Sequence, residues 1–286
     1  MKVILAEHFG MCFGVRDAVV AAERMAGEGG LTVLGELVHN PVVRERLGNL
    51  GVHEGDLDGR HAETPRVMIT AHGASDMKRR AWREAGYSVA DGTCPLVHRA
   101  HAQLRRLVMS GFFPVVTGQR GHVEVRGLTG DFPDAVVVGC LADIAELPKN
   151  GKRFGVISQT TQPLAHVQTL VAAIREARPA AEVKFCDTVC QPTKNRQNAL
   201  QQLLASCDTI VIVGGRNSNN TRQLVAATEV AGRHAIHIER PEELQSAWFA
   251  TAENVGLTAG TSTLKETVAA VRERLLQIGN EKAAAR

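Results

Sequence analysis

Cys12, Cys94 and Cys190 recur in one layout along a chain of 286 residues. Each follows a short strand-like run and opens a helix-like one, in VILAEHFGMCFGV, GYSVADGTCPLVH and EVKFCDTVCQPTK. A polar residue follows 27 residues later at His39, 28 later at His122 and 28 later at Ser218. A second polar tip comes further on, at His72 in ITAHGAS, Thr160 in VISQTTQ and Ser262 in LTAGTST. Three such units converging on one axis would bring three thiolates together, and three thiolates make a metal site. Soft sulfur ligands select iron–sulfur or zinc. Structural zinc favours pairs spaced C-x2-C, whereas the one close pair here, Cys186 and Cys190, is four apart. Isolated thiols suit a cluster held from three sides, with a fourth iron left open as a Lewis acid. Cys140, Cys186 and Cys207 read as ordinary structural thiols.

Other polar side chains fit an anionic substrate. His39, His72 and His122 each stand beside a glycine or turn signal after a strand, where imidazole can donate to phosphate oxygens. His53, His61, His98, His101, His166, His234 and His237 read as surface residues. The segment GGRNSNNTRQL (214–224) is a glycine turn, then Ser218, Asn219 and Asn220, then a helix. Backbone N–H groups and the helix dipole favour an anion there. TAGTST repeats the logic with Ser262. Glu124 lies two residues after His122, which on an extended segment faces the same side; a carboxyl there can deliver protons. Thr160 can relay a proton or cap a helix.

These residues need a frame. Apolar runs at 31–35, 66–70, 112–118, 135–139, 153–158, 209–215 and 254–260 read as strands buried on both faces, as in parallel sheets. Helical patterns at 16–26, 98–110, 166–177, 195–206 and 262–278 alternate with them. The expectation is an α/β protein of three small domains in a pseudo-threefold trefoil, at 13–93, 94–189 and 190–280, the last joined by strand 1–12, with a frayed tail at 281–286. Polar strand ends are where such sheets bind ligands. A net charge of +3 without basic runs does not suit nucleic acid or an anionic membrane. No apolar stretch approaches the ~20 residues of a membrane helix, so the expected location is cytoplasmic.

The motifs GMCFGV, GELVHNPVV, AHG, DGTCPLV, GHVEV, SQTTQ, DTVCQPTKNRQ, GGRNSNNTRQL and LTAGTST, in this order, closely resemble the 4-hydroxy-3-methylbut-2-enyl diphosphate reductase family. The resemblance implies one [4Fe–4S] cluster held by Cys12, Cys94 and Cys190 with an open fourth iron. It implies removal of the substrate's C4 hydroxyl as water by two electrons and two protons. The products would be isopentenyl and dimethylallyl diphosphate, in the last step of the methylerythritol phosphate route to isoprenoids. Glu124 would supply protons with Thr160 nearby, and His39, His72, His122, Ser218, Asn219, Asn220 and Ser262 would grip the diphosphate. The electron donor would be ferredoxin or flavodoxin, and the protein a monomer or homodimer. The sequence departs from the family pattern at Asp17, Val123, Asn219, Thr261 and Leu264. The alternatives are a paralogue reducing another allylic alcohol, an iron–sulfur redox sensor, or a zinc enzyme cleaving phosphate esters with the same Cys and His ligands.

Overall fold

In the computed structural model, which describes residues 1–284, twelve strands form three four-stranded parallel sheets. The central strands are short and rich in Val, Ile and Leu. Buried on both faces, they cannot alternate polar with apolar residues, which is the habit of parallel sheets covered by helices. Contacts divide the chain into two compact units.

The first unit comprises Met1–Arg16, Val38–Arg46 and the chain from Gln191. Its sheet is built from β1 (Lys2–Leu5), β10 (Thr209–Val213), β11 (His234–Ile238) and β12 (Asn254–Ala259) in the order β1-β12-β10-β11. Thr209 stands opposite both Val255 and His234, and Lys2 opposite Asn254. Successive side chains of a strand point to opposite faces, and the two cores follow that rule. Val211, Val213, Val255 and Leu257 pack with Val268, Val271 and Leu275 of α9 (Lys265–Ala284). Ile210 and Ile212 pack instead with Leu200 and Leu203 of α7 (Gln191–Leu204). Each such side chain contributes about 2 kcal/mol on burial.

The second unit, Asp17–Leu37 with Leu47–Cys190, holds two sheets. One has the order β3-β2-β4-β5, from β2 (Leu31–Leu34), β3 (Val52–Gly55), β4 (Arg66–Ile69) and β5 (Ser88–Asp91). The other has the order β7-β6-β8-β9, from β6 (Phe113–Thr117), β7 (Val136–Val138), β8 (Arg153–Ser158) and β9 (Glu182–Phe185). All three sheets share one strand order, except that β1, the first strand of the chain, supplies the fourth strand of its sheet. A cysteine follows that fourth strand each time: Cys12 after β1, Cys94 after β5 and Cys190 after β9.

The apolar runs and helical patterns expected from sequence are present. Four further helices are α2 (Pro41–Asn49), α3 (Asp76–Glu84), α5 (Val123–Thr129) and α8 (Asn219–Val230). These are short or polar segments, so caps and tertiary packing decide them. Glu124 is one of the consequences: it lies in the first turn of α5, capped by His122, and not on an extended segment. At the C-terminus α9 runs to Ala284, so 281–284 of the expected tail are helical; 285 and 286 lie outside the described residues. No helix among the described residues is long and apolar enough to cross a membrane.

Candidate functional site

Each of the three cysteines stands immediately before a helix, at α1 (Phe13–Gly27), α4 (Pro95–Met109) and α7. Helix N-termini favour negative charge. The backbone repeats as well. Cys12 N–H donates to Thr261 O at 2.9 Å, Cys94 N–H to Ala71 O at 3.1 Å and Cys190 N–H to Thr160 O at 2.9 Å. In every sheet the cysteine is thus tied to the carbonyl just past the third strand. These bonds make Ala71, Thr160 and Thr261 counterparts, which pairs His72 and Ser262 with Thr161 in the adjacent position. None of the six cysteines is in a disulfide.

The loop before two of the cysteines is also shared. Asp91 Oδ1 accepts from Thr93 N–H at 3.0 Å, and Asp187 Oδ1 from Val189 N–H at 3.0 Å. Each carboxylate therefore closes a turn that delivers the next residue, Cys94 or Cys190. The buried guanidinium of Arg79 donates to Thr93 Oγ1 at 3.0 Å and faces Asp91 at 3.6 Å. Cys12 lacks such an aspartate; its loop is held by Arg196, which donates to Gly10 O.

A second repeat concerns the polar tips. His39, His122 and Ser218 each lie four residues beyond a glycine, Gly35, Gly118 or Gly214, and each glycine N–H bonds the carbonyl of the edge strand. His122 caps α5 by accepting from Glu124 N–H at 3.1 Å through Nδ1, and Ser218 caps α8 by accepting from Thr221 N–H. Two residues past each cap stand Glu124 and Asn220. Glu124 Oε1 accepts from Thr160 N–H at 2.6 Å, and Asn220 Oδ1 accepts from Thr261 N–H at 3.1 Å. Glu124 and Asn220 therefore occupy equivalent places in two sheets, one acidic and one amide.

Glu124 is 2% exposed. Burial pushes its carboxyl up to about 7, against the opposing pull of hydrogen bonds from the Thr160 backbone and side chain. A carboxyl at that value holds a proton near neutral pH and can release it. Asn220 is buried too, and its Nδ2 has no partner among the described residues. An orphaned buried donor costs about 1–3 kcal/mol, which an acceptor oxygen of a ligand would recover.

Within the first unit, the His39 loop, the Ser218–Asn220 cradle, Ser262 and Cys12 are brought together. Ser262 Oγ donates to His39 O at 3.2 Å. Gly215 has room for no side chain, since a Cβ would stand 2.1 Å from His39 O. Asn219 is buried in the first turn of α8. Within the second unit, His72 and His122 meet edge-on with centroids 5.8 Å apart, and Glu124, Thr160 and Cys190 are joined through Thr160. His101, expected at the surface, is buried in α4, and burial followed by the charge of Arg79 pushes it down to about 4. The apolar stripe of α4 turns it inward.

Sequence reasoning missed Asn40, Arg79 and Arg196. Asn before proline signals a helix cap, which could have flagged the first; nothing in the sequence marks the arginines as buried. Among the described residues no three His, Cys, Asp or Glu side chains form a group able to hold one metal ion. The donor type present, thiols at helix starts, is the type that holds iron–sulfur clusters.

Thiols, imidazoles and a buried acid at the ends of parallel strands are residue types suited to redox and acid–base chemistry, the chemistry of an oxidoreductase. Relatives agree. The family model for LytB protein matches residues 3–276. The chain is 37% identical over 284 residues to the 4-hydroxy-3-methylbut-2-enyl diphosphate reductase of Aquifex aeolicus, covering 97% of both chains. It is 35% identical over 286 residues to that of Geobacter sulfurreducens, covering 99% of both. A solved (E)-4-hydroxy-3-methyl-but-2-enyl diphosphate reductase is 36% identical, with a TM-score of 0.69 over 97% of this chain and 100% of that one. The reductase structure from Plasmodium falciparum is 24% identical and shares the fold, with a TM-score of 0.87 over 97% of this chain and 87% of that one. The chain belongs to the LytB family of reductases.

Proposed function

We propose that the protein reduces 4-hydroxy-3-methylbut-2-enyl diphosphate to isopentenyl and dimethylallyl diphosphate, releasing water, as the last step of the methylerythritol phosphate route. The observation that carries this reading is Glu124, a buried carboxyl at about 7 fixed to Thr160, in a chain that also places Cys190 on Thr160. Cys12, Cys94 and Cys190 would hold a [4Fe–4S] cluster; their soft donors and their repeated setting support the fit. Bound there, the cluster would supply the electrons and an open iron as Lewis acid.

The chain's own residues account for the rest. Asn220 offers its orphaned amide to a diphosphate oxygen, and Ser218, Asn219, Ser262 and His39 surround the same helix N-terminus. His72 and His122 offer further donors. Glu124 holds a proton on a carboxyl whose Oε1 accepts from Thr160 N–H, and releases it to the substrate.

To the same proposal belong a ferredoxin or flavodoxin as donor, a monomer or homodimer, a cytoplasmic location, and three domains at 13–93, 94–189 and 190–280 with 1–12. Each of those ranges contains one sheet. The test is anaerobic. Wild type should be brown, carry about four irons per chain, and convert the diphosphate with a reduced one-electron donor. Cys94→Ser should lose the visible absorption and turnover together. A colourless active wild type, or full cluster content in Cys94→Ser, would overturn the reading.

A further inference from the structure

Asn40 carries hydrogen bonds in two directions from a position that is 3% exposed. Its Oδ1 accepts from Val42 N–H at 2.9 Å and Val43 N–H at 3.3 Å, capping α2. Its Nδ2 donates to Ser262 O at 2.8 Å, across 222 residues of chain. Its backbone N–H is fixed to Val38 O at 2.8 Å. The neighbouring peptide is equally confined: His39 O receives the Ser262 hydroxyl, and Gly215 leaves it no slack. We infer that Asn40 is a positioning residue for diphosphate binding, locking His39, the Gly215 turn that leads to Ser218, and Ser262 into one register. This inference rests on the proposed diphosphate site.

The chemistry of the side chain separates this role from simple capping. A helix cap is served almost equally by Asn, Asp or Ser. Of the three, only the amide carries its donor to Ser262 O on a separate atom from the oxygen that accepts from the helix. Asp would set a second acceptor against that carbonyl and bring negative charge towards an anionic ligand. Ser would keep the cap and lose the amide N–H donor, leaving one shorter hydroxyl for both tasks. An ordinary cap therefore predicts no change in ligand binding for either substitution, whereas a positioning residue predicts a loss for both.

The experiment titrates inorganic pyrophosphate into anaerobic holoenzyme by calorimetry, for wild type, Asn40→Ser, Asn40→Asp and Asn220→Ala. Asn40→Ser is expected to weaken binding about tenfold and Asn40→Asp more strongly, as befits a lost hydrogen bond that leaves a buried acceptor unpaired. Melting temperature should fall by a few degrees, since the lost bond also stabilises the fold, while visible absorption should match wild type and turnover should show a raised KM with kcat nearly kept. Gly215→Ala, whose Cβ would stand 2.1 Å from His39 O and 3.4 Å from Asn40 Cα, keeps the Asn40 amide, should weaken pyrophosphate in the same way and serves if Asn40→Asp fails to fold. Wild-type affinity in Asn40→Ser beside a clear loss in Asn220→Ala overturns the role of Asn40 alone. No binding by wild type, or none lost in Asn220→Ala, overturns the diphosphate site and this inference with it.

Discussion

Glu124→Gln separates the two things that burial does to this carboxyl. In the folded chain the group titrates at about 7 instead of 4.5. It therefore stays protonated across a range in which the unfolded chain has already ionised. At about 1.4 kcal/mol per pH unit, that interval amounts to about 3 kcal/mol. The sign follows from proton uptake: the folded state binds the extra proton, so stability falls as pH rises from 4.5 towards 7 and the loss is complete above that. Gln cannot ionise, keeps an oxygen to accept from Thr160 N–H, and escapes this loss. The variant should thus gain about 3 kcal/mol on wild type between about pH 4.5 and about pH 8. The assay is urea unfolding at a series of pH values, read through Trp82, buried in the same unit, with Trp248→Phe as a silent background. Subtracting the two proteins removes contributions from other groups, His101 included. A difference that stays constant with pH would refute the reasoning. Turnover in the same variant should fall by about 10²-fold or more if the carboxyl delivers a proton.

Other expectations follow from neighbouring geometry. His101, held down at about 4 by burial and by Arg79, takes up fewer protons folded than unfolded, so acidification from 6.5 towards 4 should cost about 3 kcal/mol. His101→Asn should flatten that acid limb of the urea midpoint. Arg79→Gln removes a buried guanidinium that donates to Thr93 and faces the exposed Asp91, and should destabilise by about 1–2 kcal/mol. Arg79→Lys should recover part of the charge but not the fork that reaches Asp76 and Thr93 together, and both are read by urea midpoints. Gly92→Ala would place a Cβ 2.5 Å from Ile69 O, costing about 2 kcal/mol or more and slowing iron uptake by the Cys94 loop in reconstitution.

The frame was largely legible because doubly buried strands cannot disguise themselves. TIVIV and RVMI have no polar face, and the three Cys-bearing segments repeat their surroundings. What stayed hidden depended on long-range capping. GHVEVRGLT has no strong helical period, and only the His122 cap and the packing of Val125 and Leu128 make it helical, which moved Glu124 from strand to helix. HRAHAQLRRLVM reads as amphipathic, but the sequence alone could not tell which of His98 and His101 faces inward. The correspondence of Asn220 with Glu124 was invisible for a plainer reason: the residues differ, and only shared bonds to Thr261 and Thr160 equate them.

That correspondence has an evolutionary consequence. Where one architectural address is copied, each copy can be retooled while the scaffold under it stays intact. Here the same backbone perch holds a buried carboxyl in one copy and a buried amide in another, so one residue's difference changes what the perch can offer. Interchanging the two residues would ask whether the perch or its occupant dictates the task.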